Sequence, residues 1–230
     1  MKNKLLILFL LSGLQLSAQT IVQQFVAVSS GAGQVADMDL LKPTAKGSVL
    51  IAMPNLLFTG VTVVRVADNA PDGGNTYKHI AEASSSCATQ PLDIWYCENC
   101  KPGASELKFY LSGHVTASIN AFMEVAGLAS SSVLDGDGAH VSDGAGTSEG
   151  LEVGPSLTTK ATDFVIARYS STAPRPNAVT PAGWIYKTSY VYQLNAPPGT
   201  YQPTLTGASA ESKFCMSMAA FKTKPPAVQH

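Results

Sequence analysis

Several groups of residues in this chain carry side chains whose type and spacing could do chemistry. Asp68, Asp72 and Asn75 crowd oxygen donors into a stretch that also holds Gly73 and Gly74. A calcium-binding loop has that composition, since calcium takes six to eight oxygen ligands. Asp135, Asp137 and Asp143 repeat the theme further along. Neither stretch fits the twelve-residue helix-loop-helix pattern with its closing Glu. Asp and Asn also bond their own backbone in turns, so turn formation is the first expectation at both and Ca2+ the alternative.

Cys97-Glu98-Asn99-Cys100 has the spacing of a redox or half-zinc motif. A thioredoxin-like site needs its CxxC to open a helix after a strand, but Pro102-Gly103 follows here. Zinc would need a second ligand pair at matching spacing, and the chain has no second CxxC or CxxH. The expectation is therefore structural: an oxidised framework in which Cys87 bridges to Cys97 or Cys100 and staples neighbouring strands. Cys215, in the alternating tract Phe214–Met218, reads as a buried thiol.

Glu124 lies inside an otherwise apolar segment, and a buried carboxylate needs a partner. Arg65 and Arg168, each inside a strand-like segment, are the candidates. Trp184 and Tyr186 share one face of a segment with strand period, as do Tyr190 and Tyr192. Sugars stack on exposed aromatic rings, so these four are the ligand-binding candidates, although the same rings fill β cores equally well. There is no Gly-x-Ser-x-Gly, and His79, His114 and His140 are scattered. No catalytic residue is assigned.

Residues that could work on a ligand must be delivered to it, and the first eighteen positions address delivery. Met1-Lys2-Asn3-Lys4 is cationic, Leu5–Leu11 is unbroken apolar sequence, and Ser17-Ala18 supplies small residues before Gln19. That is the pattern of a secretory signal peptide, residues 1–18, and the apolar run is shorter than the roughly 20 residues of a spanning helix. The expected location is extracellular or periplasmic. Charged residues make up only 13% of the chain, about half the usual share of roughly 25%. The 16 acidic residues outnumber the 15 basic ones, more so once Lys2 and Lys4 are removed. Nucleic acid as a partner is not favoured, because it needs clustered Lys and Arg.

The elements that must position these residues read as strands. Ile21–Val28, Ser48–Met53, Val61–Val66, Thr76–Ala83, Leu92–Cys97, Leu107–Leu111 and Ala117–Val125 are β-branched, aromatic or alternating. Val61–Val66 and Thr76–Ala83 read as one hairpin, Leu92–Cys97 and Leu107–Leu111 as another. Leu107, Phe109 and Leu111 share one face, with Lys108 and Tyr110 on the other. Asp135–Gly154, rich in Gly, Asp and Ser, is expected to be a long loop, with one short edge strand as the alternative. Ser156–Thr159, Asp163–Tyr169, Gly183–Tyr192, Gly199–Leu205 and Lys213–Phe221 resume the strand pattern. Many short strands without helices make an antiparallel β-sandwich, jelly-roll-like, as a single domain over residues 19–222. Residues 223–230 form a Pro-containing tail expected to lack structure.

The order Val66-Ala67-Asp68, Gly74-Asn75-Thr76-Tyr77, Trp95-Tyr96, Phe122-Met123-Glu124-Val125-Ala126-Gly127 and Ala219-Ala220-Phe221-Lys222 resembles a recurrent secreted bacterial β-sandwich module. The resemblance implies a fold and a compartment and carries no reaction. Together these readings lead to the expectation of a secreted, non-catalytic binding or adhesion module contacting glycan or protein at the cell surface or in the extracellular matrix. A structural subunit of an extracellular assembly and a polysaccharide-active hydrolase are the alternatives.

Overall fold

The computed structural model describes residues 18–56, 60–80, 92–135, 141–145, 150–171, 176–207 and 213–225. The expected signal peptide up to Ser17 lies outside them, as do Cys87, Asp137 and His140. Within them the chain is all-β. Its strands are β1 (Thr20–Asp39), β2 (Val49–Met53), β3 (Val63–Asp68), β4 (Lys78–His79), β5 (Trp95–Cys97), β6 (Glu106–Ala126), β7 (Val141–Ala145), β8 (Leu151–Val153), β9 (Leu157–Thr159), β10 (Asp163–Ser171), β11 (Ala178–Thr180), β12 (Ile185–Tyr186), β13 (Tyr190–Ala196), β14 (Gly199–Tyr201), β15 (Thr204–Thr206) and β16 (Lys213–Lys222). Every pairing among them is antiparallel. No helix long and apolar enough to cross a membrane occurs among the described residues.

Six strands make one sheet, in the order β1-β6-β2-β5-β4 with β3 also on β6. Five make a second, β12-β13-β10-β16-β7, and two small sheets follow, β11-β15-β8 and β14-β9. One apolar cluster joins the two large sheets: Val49, Ile51 and Met53 of β2 and Met123 and Val125 of β6 meet Phe164 and Ile166 of β10, Tyr190 and Tyr192 of β13, and Phe221 of β16. This arrangement is consistent with a sandwich-like domain.

The outer faces of both large sheets are covered as well. Leu50 and Ala52 of β2 and Phe122 of β6 pack with Met38 of β1, Val66 of β3 and Leu107, Phe109 and Leu111 of β6. Strands β1 and β6 run 20 and 21 residues, long enough for one half of their ribbon to cover what the other half builds. Three register shifts, two of them at Gly33, accommodate the bend, as bulges do. On the other side, Val165, Ala167, Met216 and Met218 pack with Leu157, Leu205 and Trp184. Burial on both faces accounts for the unbroken apolar stretches Val49–Met53 of β2 and 164–167 of β10.

Several local expectations are corrected. β3 and β4 do not form a hairpin; β3 pairs with β6 and β4 with β5. Nor do β5 and β6 pair, because β2 lies between them and pairs with both. Leu107–Leu111 and Ala117–Val125 are one strand, β6, and the 135–154 stretch holds two strands, β7 and β8. The tail begins tied down: Thr223 N donates to Thr162 O at 3.2 Å and Lys224 N to Gly127 O at 2.9 Å. Cys97 is bonded to Cys100, with Cα atoms 5.9 Å apart, and so not to Cys87. Asn99, at φ 51°, turns the chain between them. Cys215 is disulfide-bonded rather than a buried thiol.

Candidate functional site

The four aromatic candidates do not form one platform. Tyr186 stands opposite Val191 in the ladder, and Ile185 opposite Tyr192. With a side-chain period of two, that register sends Tyr186 and Tyr192 to opposite faces of the five-stranded sheet. Tyr190 and Tyr192 therefore lie in the core between the large sheets, ring centroids 6.3 Å apart. Their hydroxyls meet Gln24 of β1: Tyr190 donates to its carbonyl at 3.2 Å and its amide donates to Tyr192 at 3.3 Å. Burial pushes the Tyr190 hydroxyl well above the usual phenol range. Trp184 and Tyr186 pack into the outer cluster instead; Trp184 meets Tyr201 edge-on at 6.4 Å.

Asp68 organises the turn between β3 and β4. Its Oδ1 accepts from Ala70 N and Asn75 N, each at 3.0 Å, and its Oδ2 from Asn75 Nδ2 and Tyr77 OH, each at 2.8 Å. Asp72 contributes its backbone, its carbonyl accepting from Lys101 Nζ at 2.8 Å. Asn75 Oδ1 accepts from Lys101 N at 2.7 Å. Gly74 is at φ 80°, and a Cβ there would lie 2.6 Å from Asp68 O. The three residues are thus brought to one turn, two of them joined by hydrogen bonds. Among the described residues no three His, Cys, Asp or Glu side chains gather as a metal site would need.

Glu124 is fully buried, and its partners are not arginines. Its Oε1 accepts from Ala45 N at 2.7 Å and Ser48 Oγ at 2.8 Å, and its Oε2 from Gln23 Nε2 at 2.7 Å. The carboxylate ties the 42–48 loop and β1 to β6. Arg168 is also fully buried, donating to Ser189 O at 2.6 Å and Ile119 O at 3.2 Å. Burial pulls its guanidinium down to about 10. His79 lies 3.2 Å from Asp93 Oδ1 and stacks on Trp95 at 4.5 Å. Asp135 meets Asp163, and the side chains of Asp137 and Asp143 lie outside the described residues.

Arg65 faces away from Glu124. In the ladder β1-β6-β3, Val35, Tyr110 and Arg65 are direct cross-strand neighbours. The Arg65 guanidinium lies 3.8 Å above the Tyr110 ring. Val64 (58% exposed) and Val35 (42% exposed) flank this pair. Below them Lys108 pairs with Glu106 at 3.3 Å. Phe25, Tyr186 and Tyr201 are half-buried too, but each packs against a core cluster; Tyr110 belongs to none of the clusters. Sequence reasoning placed Tyr110 with Lys108 on the wet face of β6 and drew nothing from it. An aromatic ring on the polar face of an alternating strand was the available signal.

The chain matches no protein-family model and no curated protein. Of the residues that carry the resemblance in motif order, Tyr96, Met123, Val125 and Phe221 lie in the central cluster, whereas Asp68 and Asn75 build the turn between β3 and β4.

Proposed function

We propose that this protein is a secreted, non-catalytic binding or adhesion module that contacts an extracellular protein through the outer face of the β1-β6-β3 layer. The observation that carries the reading is the cross-strand row Val35, Tyr110 and Arg65, with Val64 beside it. Tyr and Arg are enriched among residues that dominate protein interfaces, and clustered exposed apolar side chains mark interaction sites. The strands beneath are anchored by Leu107, Phe109 and Leu111, so the face is rigid and loses little entropy on binding. A glycan is less well served. One side of the Tyr110 ring is covered by Arg65, and the flanking valines offer no hydrogen bonds to hydroxyls.

The test measures saturable binding of the purified protein to cell envelopes and extracellular matrix of the producing organism, beside a glycan array. Tyr110→Ala with Arg65→Ala should weaken protein-dependent binding by about 30-fold and leave the array blank. Unchanged binding by the double variant sinks the reading. Array signal would move it to a glycan module, concentration-dependent polymers on size exclusion to an assembly subunit, and released sugar products to a hydrolase.

A further inference from the structure

Between β6 and β7 the chain leaves one large sheet and is laid along the edge of the other. Gly127 makes the exit at φ 83°, where a Cβ would lie 2.6 Å from Ala18 O. The 127–135 strap then runs beside the end of β16. Leu128 bridges to Thr223 and Leu134 to Phe221. Lys222 N donates to Val133 O at 2.7 Å, and Asp135 N to Ala220 O at 3.0 Å. Val133 N donates to Glu98 Oε2 at 3.0 Å, so the strap also touches the β5–β6 loop of the first sheet.

At the end of the strap, Asp135 meets Asp163, the first residue of β10. Asp163 has no exposed surface. Neither of its oxygens meets an N–H or hydroxyl donor. Two facing carboxylates have no hydrogen between them, so the contact is a hydrogen bond only when one carboxyl keeps its proton. The charged and titratable groups around Asp163 come from each packed element among the described residues. The strap brings Asp135, β16 brings Lys222 directly opposite in register, and β14 brings Tyr201. The turn before β10 brings Lys160, whose backbone N–H lies 3.4 Å from Asp135 Oδ2. From β13 the opposite residue is Ala196, which does not titrate. Lys222 directs its Nζ to Ser132 O at 3.2 Å.

We propose that Asp135 and Asp163 form a proton-operated latch: the shared proton clamps the strap to the end of the five-stranded sheet, and its loss in alkaline surroundings loosens the strap there. Burial first, and then the hydrogen bond and charge of Asp135, push Asp163 up to about 7, with Lys222 pulling the other way. The folded protein therefore holds a proton that the unfolded chain releases between about pH 4 and about pH 7. The latch's stabilising contribution is complete below that window and is lost as pH rises through it.

The test compares the intact protein with Asp163→Asn, whose amide donates to Asp135 at any pH. Backbone hydrogen exchange is followed at Asp135 and Lys222 from pH 5 to pH 8.5, corrected for the chemical exchange rate. The native protein should lose about tenfold of its protection at these amides across that range, while Asp163→Asn keeps its protection. A flat native profile, or the same slope in Asp163→Asn, overturns the latch. Should Asp163→Asn fail to fold, a carbon-13 titration of the native Asp163 carboxyl decides. A midpoint near 7 supports the latch, and one in the ordinary carboxylate range overturns it.

Discussion

Glu124 and Asp163 are both carboxylates with no exposed surface, yet their surroundings differ. Glu124 meets a backbone N–H, a hydroxyl and a side-chain amide, all donors, all from the chain's first 48 residues. Asp163 meets another carboxyl. The first environment stabilises an anion and the second stabilises an acid, because burial penalises charge unless donors replace the lost water. Burial alone does not say which outcome holds; the donors do. Among the described residues neither group has an arginine partner, and the buried Arg168 donates to two carbonyls from different parts of the fold.

Removing the charge while keeping the shape should therefore have opposite consequences at the two sites. Glu124→Gln replaces one accepting oxygen with a donating amide that faces the donors of Ala45, Ser48 and Gln23, and should cost about 3 kcal/mol in chemical denaturation at pH 7. If it is neutral, the donor shell is not what holds the 42–48 loop. Asp68→Ala, a half-exposed carboxylate with the same all-donor surroundings, should cost about 2 kcal/mol. The loss should appear as earlier exchange of the Ala70 and Asn75 amides. Asp163→Asn should act the other way, raising stability at pH 8 by about 1 kcal/mol and flattening its dependence on pH between 4 and 7. A variant less stable than the native protein at pH 8 would remove the contrast between the two sites. Tyr110→Ala, which buries nothing in a core, should change stability by about 0.5 kcal/mol or less in thermal unfolding, so that any loss of binding reports on the surface.

Much of the strand content was legible because it depends on local patterning. Leu107, Phe109 and Leu111 alternate with Lys108 and Tyr110, and the burial of β6 follows that alternation. Ser48–Met53 reads as a buried run, and its residues Val49–Met53 are buried on both faces as β2. The candidate site was only half legible. Glu124 stood out as an acid in an apolar strand, but its partners were misassigned, since Gln23 and Ser48 have no local pattern that points at position 124. The four aromatic rings shared faces pairwise, as read, but the β12–β13 register divided them between two cores.

Period-two alternation, turn residues and acids in apolar runs acted within a few residues, so the sequence alone determined an all-β chain and marked where its unusual charges lie. Partnership was decided by tertiary structure. β2 separates β5 from β6, Glu124 gathers its donors from Gln23, Ala45 and Ser48, and the bent ribbon of β1 and β6 leaves Tyr110 and Arg65 on an open face while Asp163 meets Asp135. These are contacts between segments tens of residues apart, and they form only when both sheets close on shared apolar surface; no short stretch of sequence carries them.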